Sequence, residues 1–286
     1  LYKDNFYLVM ENISTQEIVR RIPQSTLDFY NRAFEMIMEI SPNLTYIRKM
    51  LVDHRVLGFL QKLKIQKGMK IIMEFPTLPY DQEIKGSIIS NIDKHCRKEL
   101  KKYVDIAVNY NKYDTVFGIP AICVINAIDV ENIPVSNSKY SENVIHMIAV
   151  ASLANWHGYD RLIEGLAEYN RNKNLDIKVY FHIVGDEQIP GVRSSLQNLI
   201  QKYRLQDMVI LHGSKIGADL DYLFNQSHIA IGSLGFHRTG VKCGSTLKEQ
   251  EYCARGLPFI NAFENIAFDL DYKYKLTFPG DETSID

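Results

Sequence analysis

Apolar positions along this chain repeat in two rhythms. In the first half, short β-rich runs at 6–10, 44–47, 69–73, 104–108 and 121–125 alternate with helical periods near 25–39, 52–63 and 88–102. The second half restarts the pattern, with strands at 144–150, 178–184, 209–211, 229–231 and 259–260 and helices near 159–171, 192–203, 218–225 and 247–255. Between them, 131–143 is polar, contains a proline, has no hydrophobic period and reads as a linker. Nearly continuous apolar strands separated by amphipathic helices predict parallel sheets covered on both faces, in two α/β domains spanning 1–135 and 136–286. Ligands of such sheets bind beyond the carboxyl ends of the strands. The loops 150–158, 185–190, 213–217 and 233–244 are therefore expected to converge on one cleft that both domains face.

With 286 residues and 46% hydrophobic content, the chain is long enough for two full cores. Its 33 basic residues balance 34 acidic ones for a net charge of -1, and the absence of a long Lys/Arg run argues against a nucleic-acid partner. Cys96, Cys123, Cys243 and Cys253 show neither CxxC spacing nor a histidine at zinc-finger distance, which fits a reduced, cytoplasmic setting without a structural metal. The apolar run 145–154 falls short of the roughly 20 residues of a membrane span, and no secretion signal is seen. The Lys-rich stretch 94–102 fits peripheral contact with the inner membrane, although a solvated helix face is the plainer reading. A start at Leu1 without Met and a stop at Asp286 after a strand-like run fit a chain truncated at both ends.

The segment Gly240 to Pro258, GVKCGSTLKEQEYCARGLP, carries the most chemistry. Thr246 and Glu249 form a capping-box pattern that starts a helix near Leu247, and Gly256 with Pro258 stops it. Unpaired N–H groups and about half a positive charge at the start of a helix attract anions, and Gly244, Ser245 and Thr246 leave room for a phosphate. Lys248 adds a cation in the first turn, unfavourable there unless an anion is bound; the alternative is a lysine pointing into water.

Taken in order, AVASLANWHGYDRLIEGL, FHIVGD, VILHGSKIGADLDYLF and LKEQEYCARGLPFI resemble the donor-binding domain of family 4 (group 1) glycosyltransferases, retaining enzymes of the GT-B type. Asn126-Ala127-Ile128-Asp129 is similar to that family's Asn-Gly-Ile-Asp element, and Trp156 to Arg161 resembles a bacterial capsule and exopolysaccharide subgroup. The resemblance covers the chain from about Met69. It implies two Rossmann-like domains facing a cleft, and a carboxylate, matched here by Glu251, that accepts hydrogen bonds from both ribose hydroxyls. The competing reading pairs Glu251 with Arg255 at i, i+4 on a solvated face. It departs from the pattern where many members carry an Arg and a Lys for the diphosphate, here Ser152 and His157, and where a Glu contacts the donor, here Cys243.

Those departures leave the diphosphate short of charge. Arg238, able to fork onto phosphate oxygens, is the first candidate, Lys248 the second and His157 the third, with His237 and Lys242 nearby. Ser245, Thr246, Leu247, Gly158, Gly185, Ser214 and Lys215 complete the expected donor site. On the acceptor side, Arg48 and the 74–83 loop, with Glu74, Tyr80 and Asp81, are the candidates, Glu74 as a catalytic group. The resemblance implies a metal-independent glycosyltransferase, without cofactor, that takes a UDP- or GDP-sugar as substrate and acts on a saccharide or lipid-linked acceptor in surface polysaccharide synthesis. Two alternatives stay open: a nucleotide-binding or scaffold protein that has kept the fold but little catalysis, and a nucleotide-sugar epimerase.

Overall fold

The computed structural model describes residues 7–12, 17–23, 29–48, 51–82, 84–138, 142–172, 176–283 and 285. The chain divides into two compact units. One gathers Leu1–Thr77, Ile84–Asn109 and Tyr113–Cys123; the other gathers Leu78–Glu83, Tyr110–Lys112 and Val124–Asp286.

The first unit begins with an antiparallel pair, β1 (Tyr7–Asn12) and β2 (Glu17–Pro23), followed by α1 (Phe29–Ile40), β3 (Leu44–Arg48), α2 (His54–Lys67), β4 (Lys70–Phe75) and α3 (Ile88–Cys96). It ends with β5 (Ile106–Asn109), β6 (Thr115–Val116) and β7 (Ile119–Cys123), giving a five-stranded sheet in the order β3-β4-β5-β7-β6, antiparallel only at β6. α2 shows how sequence sets an element. Asp53 caps it by accepting from the N–H groups of Arg55 and Val56 at 3.0 Å, and Gly68 closes it in the left-handed conformation. Val56, Phe59, Leu60 and Leu63, spaced i, i+3, i+4 and i+7, form its buried face.

Two features here differ from the sequence expectation. β2 has no predicted counterpart, and the helical period 88–102 breaks into α3 followed by a 3-10 turn at Arg97–Lys102. The first residues of the predicted 25–39 helix lie outside the described residues.

The second unit runs β8 (Val144–Val150), α4 (Tyr159–Arg171), β9 (Lys178–Val184), α5 (Val192–Tyr203), β10 (Val209–Gly213), α6 (Gly217–Gln226), β11 (Ile229–Ile231), β12 (Cys243–Gly244), α7 (Leu247–Ala254), β13 (Phe259–Asn261), β14 (Glu264–Asn265) and β15 (Lys275–Thr277). Six strands pair in parallel in the order β10-β9-β8-β11-β13-β15. β8 serves both faces of this sheet. Met147 and Ala149 join Phe181, Ile183 and the apolar stripes of α4 and α5 on one face, while Ile148 joins Val184, Ala230, Phe259, Phe224 and Tyr252 under α6 and α7 on the other. Full burial of each such aliphatic or aromatic side chain contributes about 1.5 to 3 kcal/mol. Among the described residues, no helix is long and apolar enough to cross a membrane.

A parallel sheet brings all its carboxyl ends to one edge, and here the loops leaving that edge touch backbone to backbone. Ala151 N donates to Val184 O at 3.0 Å, Gly185 N to Gly213 O at 2.8 Å, and Leu234 N to His157 O at 2.8 Å. Two glycines make this possible. Gly185 (φ 130°) lies so close to Ala151 that a Cβ would overlap its carbonyl oxygen, and a Cβ on Gly158 (φ 64°) would sit 2.6 Å from the Gly235 nitrogen.

On the second face, imidazoles form a chain across three strands. His146 Nδ1 lies 2.9 Å from His182 Nε2, and His182 Nδ1 lies 2.9 Å from His212 Nε2; the backbone N–H of His146 donates to His228 Nδ1 at 2.9 Å. Burial first, then the neighbouring imidazoles, pushes His182 down to about 4, and burial also lowers His146 and His212.

Two outcomes are expected. Because His182 binds a proton more weakly folded than unfolded, its contribution is fully present above the ordinary histidine value and is lost as pH falls from about 6.5 toward 4. Urea unfolding should show a lower midpoint at pH 5 than at pH 7.5, with a smaller drop in His182→Gln; an unchanged drop would contradict this. Gly185→Ala should destabilise by more than about 2 kcal/mol, from positive φ and overlap together, and a wild-type melting temperature would refute it.

Candidate functional site

The first turn of α7 and the loops around it hold a cluster of buried polar atoms. Thr246 takes the N-cap position in extended conformation, but its side chain makes no capping bond. The predicted capping box therefore does not form. Glu249 instead turns inward, fully buried, where Oε1 accepts the N–H of Ser233 at 3.2 Å. Gly232 permits this contact, since a Cβ there would overlap the carboxylate.

Lys248 lies with its stem partly exposed and its ammonium buried, 5.9 Å from the centroid of the Tyr159 ring. Tyr159 in turn stacks on His157, with centroids 5.4 Å apart and planes 15° from parallel. Five atoms here, Lys248 Nζ, Thr246 Oγ1, Ser233 Oγ, Glu249 Oε2 and Tyr159 Oη, are buried with no hydrogen-bond partner among the described residues. An unpartnered buried polar group costs about 1 to 3 kcal/mol, more when charged, so five together are unfavourable for a site that only holds the fold.

The electrostatics favour an anion. Burial lowers Lys248 to about 8, so at neutral pH it remains mostly a cation, at the positive end of a helix. Burial also raises Glu249. His157 is held well below the usual histidine value by burial and then by the charge of Lys248. Its Nδ1 accepts the N–H of Ala154 at 3.1 Å, so the proton of the neutral ring sits on Nε2, which leaves a hydrogen-bond donor without a charge.

The other expected donor-side residues divide. Gly158 and Gly185 shape the loops described above. Ser245 is buried and occupied: its Oγ accepts from Asn126 N at 2.9 Å and from Gln250 Nε2 at 3.0 Å, and its carbonyl accepts from Asn126 Nδ2 at 2.6 Å, tying the Asn-Ala-Ile-Asp element to α7. Leu247 and Ser214 are exposed, and Lys215 is half-buried beside His212. On α7, Lys248, Glu251 and Arg255 follow at i, i+3 and i+7 along one flank. Glu251 does make the ion pair that competes with the ribose reading: Oε1 accepts Arg255 Nε at 2.9 Å, while Arg255 Nη1 reaches Asp221 at 2.8 Å and its guanidinium stacks 4.1 Å from the Phe224 ring centroid.

Arg238 departs furthest from expectation. In the 3-10 turn Phe236–Thr239 all five of its N–H groups are used: Nε and Nη2 on Glu282 at 2.8 and 2.6 Å, Nη1 and Nη2 on Asp160 at 2.9 and 2.7 Å, and Nη1 on Asn155 O at 2.9 Å. These bonds raise Arg238 further and hold Glu282 down to about 2. A guanidinium with two carboxylates has no donor left for a phosphate. His237 Nε2 also lies on Glu282, at 2.7 Å.

The acceptor-side candidates fall in both units. Glu74 belongs to β4 rather than to the loop after it; nearly buried, it pairs with Arg48 at 3.1 Å and accepts from Tyr46 Oη at 2.8 Å, because β3 and β4 set Arg48 opposite Glu74. The segment with Tyr80, fully buried, and Asp81, half-buried, groups with the second unit. Sequence reasoning did not single out Tyr159, Ser233 or the inward role of Glu249. Only Glu249 left a signal, a carboxylate three residues before Tyr252 on the apolar face of the helix.

Residues 130–243 match the family described as Glycosyl transferases group 1. Comparison with the sequences of curated proteins gives no match. Among solved structures, the chain is similar to sucrose-phosphate synthase from Thermosynechococcus elongatus at 14% identity and a TM-score of 0.66, over 96% of this chain and 73% of that one. It is similar to the HepE protein of Anabaena, solved in complex with UDP and glucose, at 15% identity and a TM-score of 0.60, over 90% and 71% of the two chains. It is also similar to a glycosyltransferase from Rickettsia africae ESF-5, at 15% identity and a TM-score of 0.61, over 94% and 73%. The chain has the α/β fold of the GT-B glycosyltransferases and, by the group 1 domain it carries, is a glycosyltransferase.

Proposed function

We propose that this protein transfers a sugar, with retention at the anomeric carbon, from a UDP- or GDP-sugar to a saccharide or lipid-linked acceptor in surface polysaccharide synthesis, with α7 holding the donor diphosphate. The observation that carries this reading is the buried, unpartnered ammonium of Lys248 at a helix start, flanked by a threonine hydroxyl and a neutral histidine donor. A diphosphate there would pair the ammonium, occupy the free N–H groups of the first turn and accept from His157 Nε2.

Charge develops on the departing diphosphate as the glycosidic bond breaks, and preorganised cations and dipoles in a site shielded from water stabilise it most. Lys248 takes the role first sought for Arg238, whose place in this reading is to fasten the Asn155 loop through its closed ion pairs. Supplied by Lys248 and the helix, the positive potential makes a metal ion unnecessary for this step. Glu251, sharing Oε1 with Arg255, is oriented by that bond to receive the ribose hydroxyls, and Glu74 remains the candidate on the acceptor side.

Three measurements test this reading. Lys248→Met should weaken UDP binding by about 1.5 to 3 kcal/mol in calorimetry, the range for a charge-assisted hydrogen bond, and an unchanged dissociation constant would remove the lysine from the site. Only the protonated lysine attracts a phosphate, so wild-type affinity is fully present below pH about 8 and falls as pH rises through that value. Lys248→Met should lose this dependence; a flat profile in the wild type would count against the assignment. Purified protein should hydrolyse or transfer sugar from at least one nucleotide sugar. Binding without turnover would favour the scaffold alternative, and isomerisation without an acceptor the epimerase.

A further inference from the structure

α3 presents to solvent a face that its own unit leaves uncovered. Its inner side consists of Ser90, Asp93 and Cys96, with Asp93 fixed there by the N–H of Val52 at 2.7 Å and by Arg97 at 3.2 Å. Its outer side carries Ile88 and Ile92 one turn apart, with Ile89 on the flank, at 81%, 37% and 55% exposure. Isoleucine forms helix less well than alanine or leucine, and Ile88 and Ile89 recover little by burial, while Ile92 is only partly covered. Such a local conflict with the fold marks a surface kept for something else.

The charge around the isoleucines says what that is. Lys85, Lys94, Lys98, Lys101 and Lys102 are all exposed, and the 3-10 turn that follows α3 is anchored by the fully buried Leu100 while its lysines stay in solvent. Within residues 84–102 the acidic residues are Asp93, buried and paired, and Glu99, bonded to Lys102; Asp81 and Glu83 precede the segment. Residues 84–102 thus carry a net charge of +4 in a chain whose net charge is -1. An apolar wedge flanked by lysines matches the boundary between acyl chains and anionic headgroups. A second copy of the chain docked on the same face would bring like charges together, and nucleic acid would have no use for the isoleucines.

We propose that α3 and the turn after it dock this protein on an anionic lipid bilayer, with Ile88, Ile89 and Ile92 entering the acyl boundary and Lys85, Lys94, Lys98 and Lys101 meeting the headgroup phosphates. The proposal does not rest on the transferase reading, and either stands if the other fails. The test is sedimentation of the full chain with vesicles of phosphatidylcholine alone and of phosphatidylcholine with phosphatidylglycerol. Binding is expected to the anionic vesicles only and to be reversed by high salt. Ile88→Asp with Ile92→Asp should abolish it, and Lys98→Ala with Lys101→Ala should lower the partition coefficient on the order of thirtyfold, while melting temperatures stay at the wild-type value because all four positions are exposed. The proposal is overturned by absence of binding to either vesicle, by equal binding of the variants, or by a concentration-dependent dimer that Ile88→Asp with Ile92→Asp abolishes in a chain that ignores vesicles.

Discussion

Backbone-to-backbone contact at the carboxyl edge of the second sheet is the constraint on which the candidate site depends. Gly185 lies against the carbonyl of Ala151, and Gly158 against Gly235, at separations no side chain tolerates. Parallel strands deliver these loops to a common edge, and positive φ at both glycines lets them close on one another. His157 and Tyr159 flank Gly158, so the position of the imidazole and phenol beside Lys248 follows from that close approach. The histidine chain crosses β8, β9 and β10 on the second face of the same sheet, where it links the three strands side chain to side chain.

Charge in the second unit is divided between saturated and unsaturated cations. Arg161 is almost fully buried, yet its guanidinium donates to the carbonyls of Leu234, Pro279 and Thr283, and Arg238 and Arg255 each rest on two carboxylates. A buried guanidinium is tolerable because its donors are all met. Lys248 has no such hydrogen bonds among the described residues; burial lowers its affinity for a proton, and the nearby Glu249 only partly offsets that. Against these three paired arginines, the buried ammonium of Lys248 places a positive charge without a hydrogen-bond partner at the start of α7.

The site was half legible in the chain. Gly244, Ser245 and Thr246 before an amphipathic octet announce a helix start, and Lys248 in its first turn is visibly at odds with the helix dipole. The fate of Arg238 was not legible, because Asp160 and Glu282, which take up its donors, lie 78 and 44 residues away in sequence. The capping box failed for a related reason. Glu249 had two partners on offer, the local N-cap and the distant Ser233 N–H, and burial of its helix face chose the second.

Local pattern by itself determined the elements whose two ends both carry a signal. The periods for α4 and α5, the strand run of β8 and that of β9 match the structure end to end, because apolar spacing and flanking polar residues agree there. Where packing sets the limits, the pattern shifts or breaks: β4 extends through Glu74 because Arg48 lies opposite it, β2 forms only as the partner of β1, and α3 gives way to a 3-10 turn that buries Leu100. Tertiary structure alone decided which charges remain available, since a charge is neutralised by whatever the fold brings within a few ångströms, and sequence separation says nothing about that distance.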